Sequence, residues 1–322
     1  MKALVFKKYG APSEVLRLEE RPRPVPAAHE VLVKVHATAV NDYDWSMVRG
    51  QPYLYRLLFG LRKPSRQVPG MEVSGTVEAL GKNVSALEVG DAVYGDISEY
   101  SFGTFAEYAC VHEKALARKP AGMSFEEAAA IPHASLLAYQ GLAGMGGIQQ
   151  GQQVLINGAG GGVGAFGLQL AKLYDAEVTG VDAGEKLERM KSAGLDHIID
   201  YKKEDFTRNG RRYDLILDAK TARPPLAYTR SLKPGGKYVT VGGTPARLLQ
   251  LLAWKPWIAA FTSKSVHILA LKPNQGLEHI GELFEAGRIR AVIDGPYALS
   301  QGAEALRRFG EGKHYGKVVI AL

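Results

Sequence analysis

The sequence predicts a mixed α/β protein, with a β-rich first part and a doubly wound parallel sheet in its second part. From residue 152 onward, short apolar runs alternate with segments whose apolar residues recur at helical spacing. Before residue 119, apolar and polar residues instead alternate with the two-residue period of half-buried strands. The 322 residues of the chain are enough for two ordinary domains.

The individual elements follow from local patterns. Alternating runs predict strands at 30–37, 73–81 and 105–111. The spacing of Ser124 and Glu127 predicts a helix that begins with a capping box, and another helical stretch follows at 135–145. Two amphipathic helices and a closing strand at 316–320 are expected after residue 273. The strands of the parallel sheet are expected at 153–157, 177–182, 197–200, 213–219, 237–242 and 266–271.

Composition excludes several classes of protein. Cys110 is the only cysteine, which excludes an intramolecular disulfide and a multi-cysteine zinc site and makes a reducing cytoplasm the expected location. No apolar run is long enough to span a bilayer, and the apolar start of the chain is too short for a signal peptide. The net charge is +7, but the basic residues are scattered and no nucleic-acid motif accompanies them. We therefore expect neither a nucleic-acid nor a membrane partner.

A glycine cluster at 158–164 is the most informative stretch of the chain. It lies between a predicted strand and a predicted helix, an arrangement that binds the pyrophosphate of a dinucleotide because glycines let the backbone approach the phosphates. In the G-x-G-x-x-G template that ends at Gly164, the first glycine is replaced by Ala159, and a tight turn in another α/β protein is the alternative. The predicted cofactor contacts are Ala159, Gly160, Gly161, Gly162 and Val163.

Two residues beyond the turn bear on the choice of nucleotide. Asp182 ends the second predicted strand, where a carboxylate binds the ribose hydroxyls and disfavours a 2′-phosphate, which points to NADH. Lys186 follows on the next helix and could instead partner a phosphate, as NADPH requires. The residues themselves leave both cofactors open.

Several segments along the chain together form a recognisable pattern. They are MKALVF, AVNDYDWSMVRG (39–50), PGMEVSGTVEALG (69–81), VGDAVYG (89–95), the glycine turn, LDHIIDYKKEDF (195–206), LKPGGKYV (232–239) and the final GKVVI. With these segments the chain resembles the medium-chain dehydrogenase/reductase superfamily, and more narrowly its zinc-independent quinone oxidoreductase and reticulon-interacting branches. This resemblance implies a GroES-like β-barrel catalytic domain over 1–130, completed by 273–322. It also implies a Rossmann dinucleotide-binding domain over 131–272, with the active-site cleft between the two domains.

The resemblance also bears on metal chemistry. Where zinc-dependent members hold their metal, this chain has Asn41, Met71 and His133. Methionine and asparagine are poor ligands for Zn²⁺, so no zinc is expected, although a site formed by His133 with Glu72 and Asp44 is conceivable. Without a Lewis acid, alcohol oxidation is disfavoured. The expected reaction is hydride transfer from NADPH or NADH to a quinone or an α,β-unsaturated carbonyl.

Several site residues are implied by the same resemblance. Asn41 and Asp44 reproduce an N-x-x-D segment at the floor of the cleft, where Asn41 would orient the nicotinamide or the acceptor carbonyl; a turn held by Asx bonds is the alternative. Tyr43 could donate a proton to a developing oxyanion or form an apolar wall of the pocket. Further cofactor contacts are expected at Tyr201, Gly242, Gly243 and Lys317, with a solvated position on an edge strand as the alternative for Lys317.

The family favours NADPH, whereas Asp182 favours NADH. Relatives commonly dimerise through the edge strand of the cofactor domain, so a homodimer is expected. Two alternative functions stay open at this point: a nucleotide-binding regulator or sensor without efficient catalysis, and an alcohol dehydrogenase that uses NAD(P). The apolar segments at 53–59 and 248–261 could cover an acceptor pocket or form other packing or dimer contacts.

Overall fold

The computed structural model describes the backbone of residues 1–322 and every side chain except that of Leu58. The chain forms two compact units. The first comprises Met1–His133, Pro273–Gly287 and Ala291–Leu322, and the second comprises Ala134–Lys272 and Arg288–Arg290. Among the described residues, none of the helices combines the length and the apolarity that crossing a bilayer requires.

The elements have the following bounds. The strands are β1 (Lys2–Phe6), β2 (Leu16–Glu20), β3 (Glu30–Ala39), β4 (Glu72–Leu80), β5 (Ala92–Asp96), β6 (Tyr108–His112), β7 (Ala117–Arg118), β8 (Gln153–Asn157), β9 (Glu177–Asp182), β10 (His197–Asp200), β11 (Tyr213–Asp218), β12 (Leu232–Thr240), β13 (Ser265–Ile268), β14 (Ile293–Ala298) and β15 (Lys317–Ala321). The helices are α1 (Pro12–Val15), α2 (Asp42–Arg49), α3 (Leu54–Phe59), α4 (Phe125–Ala130), α5 (Pro132–Tyr139), α6 (Gly162–Lys172), α7 (Lys186–Ser192), α8 (Pro225–Arg230), α9 (Pro245–Phe261), α10 (Leu277–Glu285) and α11 (Gly302–Gly310).

The first unit is organised around β3. This strand pairs antiparallel with β4, β6 and β15, so the end of the chain returns to its centre. Its seven-stranded sheet has the order β14-β15-β3-β4-β5-β7, with β6 paired to β3. Alternate residues of β3, among them Val31, Val33 and Val35, are buried in one apolar cluster. The β-rich, GroES-like interpretation of this part of the sequence is confirmed.

The second unit contains a parallel sheet with the order β10-β9-β8-β11-β12-β13. This is the doubly wound order, and the direction of winding reverses between β8 and β11. In such sheets ligands bind outside the carboxyl ends of the strands at that reversal. The predicted strands are confirmed; the largest difference is that β12 begins at Leu232 instead of residue 237, because it continues through the turn at 234–236.

The helices also follow their local signals. The side chain of Ser124 accepts a hydrogen bond from the N–H of Glu127, and the carboxylate of Glu127 accepts one from the N–H of Ser124, so the predicted capping box is confirmed. The helical stretch at 135–145 consists of α5 followed by a π-helix at Gln140–Gly146. The apolar segment at 248–261 lies within α9, which continues through Pro256.

Candidate cofactor turn and acceptor site

The glycine turn connects β8 to α6. Gly158 has a φ of 87°, a left-handed conformation that glycine adopts without strain. The N–H groups of Gly158 and Ala159 donate to the carbonyl of Val181 on β9, at 2.9 and 3.1 Å. The N-cap residue of α6 is Gly161, and no side chain caps the first N–H groups of the helix there. These groups are therefore available to an anion at the positive end of the helix dipole.

Close packing explains which residues of the turn are glycines. A Cβ on Gly164 would lie 2.4 Å from the Cα of Ala159, so a larger residue would push α6 off the turn. A Cβ on Gly160 would lie 2.6 Å from the Cδ of Lys186. An alanine fits at position 159, the first glycine of the template, because the neighbouring residue on β9 is Gly180. A Cβ on Gly180 would lie 3.0 Å from the Cβ of Ala159, so a glycine on β9 leaves room for the methyl group of the alanine.

Asp182 ends β9, as predicted, but its carboxylate bonds to the turn. Oδ2 accepts the N–H of Gly160 at 2.9 Å, and Oδ1 accepts the N–H of Ala183 at 2.9 Å. The Nζ of Lys186 lies 3.6 Å from Oδ1, and both side chains are 13% exposed. Asp182 therefore fastens the turn to β9, and Lys186 adds a positive charge beside it.

The other residues expected around the cofactor lie at the carboxyl ends of neighbouring strands. Tyr201 follows β10; its N–H donates to the carbonyl of Asp182 at 3.1 Å, and its side chain is exposed. Gly242 and Gly243 follow β12, and the N–H of Gly242 donates to the hydroxyl of Thr240 at 3.2 Å. These residues are therefore in the same unit as the glycine turn, at the edge of the sheet where ligands bind.

A buried carboxylate beneath this edge was not predicted from the sequence. Asp218 ends β11 and is fully buried. It accepts hydrogen bonds from the side chain of Asn157, the hydroxyl of Tyr238 and the N–H of Lys220, each at 2.7 Å. Burial raises the pKa of Asp218, and these hydrogen bonds oppose that shift. Asp218 thereby joins the ends of β8, β11 and β12, and an acid at the end of an apolar strand was the signal for it.

The glycine turn fits the pyrophosphate of a nicotinamide dinucleotide. Uncapped N–H groups at the start of α6 can bind its oxygens, and Gly164 stands where a Cβ would collide with the turn itself. Of the predicted contacts, Ala159, Gly160, Gly161, Gly162 and Val163 form or directly follow this turn.

A second polar cluster lies in the first unit and is centred on Glu72. This carboxylate is fully buried, and its Oε2 accepts from the Nδ2 of Asn41 at 2.7 Å and pairs with the Nζ of Lys317 at 2.6 Å. Lys317 also donates to the Oδ1 of Asn41. Both the amide nitrogen and the amide oxygen of Asn41 thus have hydrogen-bond partners within the protein, and the residue is 3% exposed.

Lys317 is the clearest correction to the sequence-based expectations. β15 pairs with both β14 and β3, so Lys317 does not stand on an edge strand, and it is 4% exposed. A buried ammonium requires an opposite charge, which Glu72 supplies. The alternative of a solvated lysine on an edge strand is wrong, and the ammonium belongs to the unit that contains Asn41. The cofactor contact expected at Lys317 stays a prediction.

Asp44 is buried beside this cluster and is bonded to it through the backbone N–H of Asn41. Its two oxygens accept the N–H groups of Asn41 and Gly70, at 2.9 and 2.8 Å, and the residue is fully buried. Burial raises the pKa of Asp44 to about 7, although the two backbone hydrogen bonds and Lys317 oppose the shift. The N-x-x-D segment therefore begins α2 and ties it to the chain at Gly70.

His133 joins two acids that face each other across the sheet. Glu72 and Asp96 are directly opposite on β4 and β5, an arrangement of like charges that is unfavourable without partners. The backbone N–H of His133 donates to the Oε1 of Glu72 at 2.7 Å, and the ring nitrogen Nδ1 of the same residue lies 2.7 Å from the Oδ2 of Asp96. Burial alone would raise the pKa of Asp96, but bonds from His133 and Ser98 outweigh it, so the pKa is lowered and the group is a carboxylate.

The His133–Asp96 pair was not predicted as a catalytic feature. Because the carboxylate accepts from Nδ1, this nitrogen carries the ring proton, and Nε2 is the nitrogen that can exchange a proton with a ligand. The His133 side chain is 14% exposed, whereas that of Asp96 is fully buried. Two buried acids in otherwise apolar strands were the signal for this pair.

Aromatic rings stand beside His133. The ring of Tyr43 meets that of His133 edge-on, with centroids 6.4 Å apart, and lies 6.0 Å from Tyr55 and 6.4 Å from Phe102. Phe59 packs edge-on against Phe102 at 5.5 Å. Tyr43 is 40% exposed, whereas Phe59 is buried, so this group has an accessible side. Of the predicted apolar stretch at 53–59, Leu58 lies outside the described side chains, and Tyr53 and Leu57 are exposed.

The side chains at the positions of the family's zinc ligands have other partners. Asn41 bonds to Glu72 and Lys317, and His133 bonds to Asp96, while Met71 is fully buried. Among the described residues, no group of three or more histidine, cysteine, aspartate or glutamate side chains is arranged to hold a metal ion.

Comparison with known families agrees with this architecture. Residues 27–121 match the alcohol dehydrogenase GroES-like domain, and residues 193–320 match the zinc-binding dehydrogenase family. The words 'zinc-binding' belong to the name of the family. In this chain the positions of the family's zinc ligands hold Asn41, Met71 and His133.

Individual relatives are similar over nearly the whole chain. The NADPH-dependent alkenal/one oxidoreductase of Arabidopsis thaliana is 33% identical over 99% of this chain and 79% of its own. The mitochondrial NAD(P)H oxidoreductase RTN4IP1 of Bos taurus is 32% identical over 99% of this chain and 89% of its own. The solved structure of the quinone oxidoreductase from Coxiella burnetii is 28% identical, with a TM-score of 0.89 over 100% of this chain and 99% of its own. The chain therefore belongs to the medium-chain dehydrogenase/reductase superfamily, in its branch of quinone oxidoreductases and reticulon-interacting oxidoreductases.

Proposed function

We propose that this protein is an NAD(P)H-dependent oxidoreductase that transfers a hydride to a quinone or an α,β-unsaturated carbonyl. The observation that carries this proposal is the glycine turn, with its uncapped N–H groups at the start of α6. Relatives named as quinone and alkenal/one oxidoreductases, similar along the whole chain, support the class of acceptor.

The residues 159–163 would hold the pyrophosphate, and Tyr201, Gly242 and Gly243 would lie along the rest of the nucleotide. When bound, the reduced nicotinamide supplies the hydride. Because both oxygens of Asp182 already accept backbone N–H groups and Lys186 lies beside them, we propose that a 2′-phosphate is tolerated and that NADPH is used. NADH remains an alternative, since each oxygen of Asp182 has a second lone pair for a ribose hydroxyl.

The acceptor would bind against the aromatic group of Tyr43, Tyr55 and Phe102, since quinones and enones are flat and largely apolar. Addition of a hydride to such an acceptor leaves a negative charge on its oxygen. We propose that Nε2 of His133 gives its proton to that oxygen, which forms the O–H bond and leaves a neutral ring that regains a proton from water. Asp96, Asn41 and Asp44 would act by holding His133 and α2 in position.

A fluorescence titration with NADH and with NADPH, followed by a panel of quinones and enones, tests the proposal. Gly161→Val should abolish nucleotide binding, because a branched side chain would block the approach of the phosphates to the turn. Gly122→Val is the matched control, since a Cβ on Gly122 meets nothing within 4 Å. Unchanged nucleotide affinity in Gly161→Val would contradict the cofactor site. Binding of NADPH without oxidation by any acceptor would instead identify a sensor.

Two further expectations remain predictions. We propose a homodimer formed through β13, which lies at an edge of the parallel sheet. A cytoplasmic location is also still a prediction, because the relatives include mitochondrial and chloroplastic proteins.

A further inference from the structure

The helix α9 exposes a large apolar surface. Its 17 residues include several large apolar side chains with exposed fractions between 42% and 76%. They are Leu249, Leu252, Trp254, Trp257 and Phe261. The rings of Trp257 and Phe261 stack on each other with centroids 5.9 Å apart. Contiguous exposed apolar surface of this kind marks an interaction site in most proteins.

The opposite face of α9 is apolar as well. Leu251 and Ile258, two turns apart, are buried in the core of the second unit. The exposed residues occupy the other side of the helix, where a helix on the surface of a water-soluble domain normally carries polar residues. A helix that is apolar all round is either enclosed or placed against a second apolar medium.

The distribution of charged residues along the chain indicates which second apolar medium α9 contacts. Residues 219–277, which contain α9, include nine lysines and arginines and no aspartate or glutamate. The rest of the chain has 31 basic and 33 acidic residues, so its formal charge is −2, and this segment supplies the whole positive excess. Arg247 and Lys255 are on α9 itself, and Lys255 is exposed, whereas Lys264, which follows the end of the helix, donates to the carbonyl of Thr229 at 2.6 Å. Basic side chains around an apolar helix face that contains tryptophan are the features that bind an anionic lipid surface.

We propose that α9 docks this protein on the surface of an anionic lipid bilayer. The helix would lie in the plane of the interface, with Trp254, Trp257 and Phe261 at the level of the headgroups and the basic residues against lipid phosphates. A second copy of the chain is a poorer occupant of α9 itself, because a symmetric contact between two α9 helices would bring together two acid-free helices that each carry Arg247 and Lys255. The homodimer proposed through β13 is a separate contact. This proposal replaces the sequence-based expectation of no membrane partner, and it does not depend on the acceptor or on catalysis.

Sedimentation with lipid vesicles tests the proposal on the full chain. The wild-type protein should bind vesicles of equal parts phosphatidylcholine and phosphatidylserine, and bind pure phosphatidylcholine vesicles much less. Binding should weaken at high ionic strength. The tryptophan emission should shift to shorter wavelength, since two of the three tryptophans of the chain are on α9.

Two pairs of variants separate the apolar and the electrostatic contributions. The double variant Trp257→Gln, Phe261→Gln should lower vesicle affinity by roughly tenfold or more. Its control is Leu18→Gln, Val89→Gln, which removes two exposed apolar side chains of the first unit. Lys255→Glu should lower affinity by roughly 5- to 30-fold, since each charge near such a surface contributes about 1 kcal/mol, and Lys82→Glu should leave it unchanged.

Three outcomes would overturn the proposal. The first is no binding of wild-type protein to phosphatidylserine vesicles at low ionic strength. The second is equal vesicle binding by the α9 double variant and its control. The third is the absence of vesicle binding together with a self-association, measured by light scattering, that only the α9 double variant abolishes; this result would assign the surface to a second copy.

Discussion

At the scale of single residues, His133 has the features of a proton donor. Its Nδ1 is held by a carboxylate that is fully buried, and its ring meets that of Tyr43 edge-on. A carboxylate on one ring nitrogen fixes the tautomer and stabilises the protonated ring. Asp96 therefore fixes the orientation of the His133 ring.

The change Asp96→Asn should retain the hydrogen bond and remove the charge. We expect kcat with an enone to fall roughly 10- to 100-fold, with NADPH affinity unchanged, because general acid catalysis contributes about 100- to 10,000-fold and the variant retains a weakened acid. Without the negative charge the ring is held less firmly by its Nδ1 partner, so the loss should appear in kcat and not in nucleotide binding. Asp91→Asn, which removes a surface partner of Arg118, is the control; equal kcat values in both variants would contradict the assignment.

At the scale of elements, Asp44 makes the start of α2 sensitive to pH. The pKa of this carboxyl is raised by burial from 3.8 to about 7 in the folded state. As pH rises from about 4 to about 7, the unfolded chain therefore ionises Asp44 while the folded chain does not. The free energy of unfolding falls over this window, by an amount on the order of 4 kcal/mol from this group.

Asp44→Asn should flatten that dependence. At pH 5 the variant should be less stable by about 1–3 kcal/mol, because one amide oxygen replaces two acceptors for the N–H groups of Asn41 and Gly70. At pH 8 the difference should shrink or reverse. Urea unfolding at pH 5 and pH 8 measures this difference in the free energy of unfolding. The control is Asp42→Asn, a substitution of the exposed neighbouring aspartate. A difference that is the same at pH 5 and pH 8 would show that Asp44 is ionised in the folded protein throughout.

Elements and the site differ in how far the sequence predicts them. The strands of the parallel sheet and the turn at 158–164 follow from short-range patterns, since period and glycine placement are local properties of the chain. The His133–Asp96 and Lys317–Glu72 contacts depend instead on which strands become neighbours. Glu72 faces Asp96 only because β4 pairs with β5, and Lys317 is buried only because β15 has partners on both sides. Such pairings are set by the whole fold, so a local pattern can mark an acid in an apolar strand but does not identify its partner.

At the scale of the whole molecule, charge is divided unevenly along the chain, and its positive excess includes residues at the cofactor turn. The side chain of Lys220 lies against Gly158, where a Cβ would be 3.1 Å from its Cγ, and Lys186 lies against Gly160 in the same way. Positive charge beside the turn attracts a polyanion before contact, and salt screens this attraction.

The association rate of NADPH should therefore fall as ionic strength rises, and more steeply than that of NADH, which lacks the 2′-phosphate. Lys220→Met should reduce the slope for both nucleotides, whereas Lys82→Met, in the first unit, should not change it. Stopped-flow fluorescence gives these rates directly. The dissociation rate should change less than the association rate, because steering acts on the encounter and not on the bound complex. Association rates that do not depend on ionic strength for either nucleotide would mean that the nucleotide meets no net field at the turn, and that the basic residues of 219–277 act only elsewhere on the surface.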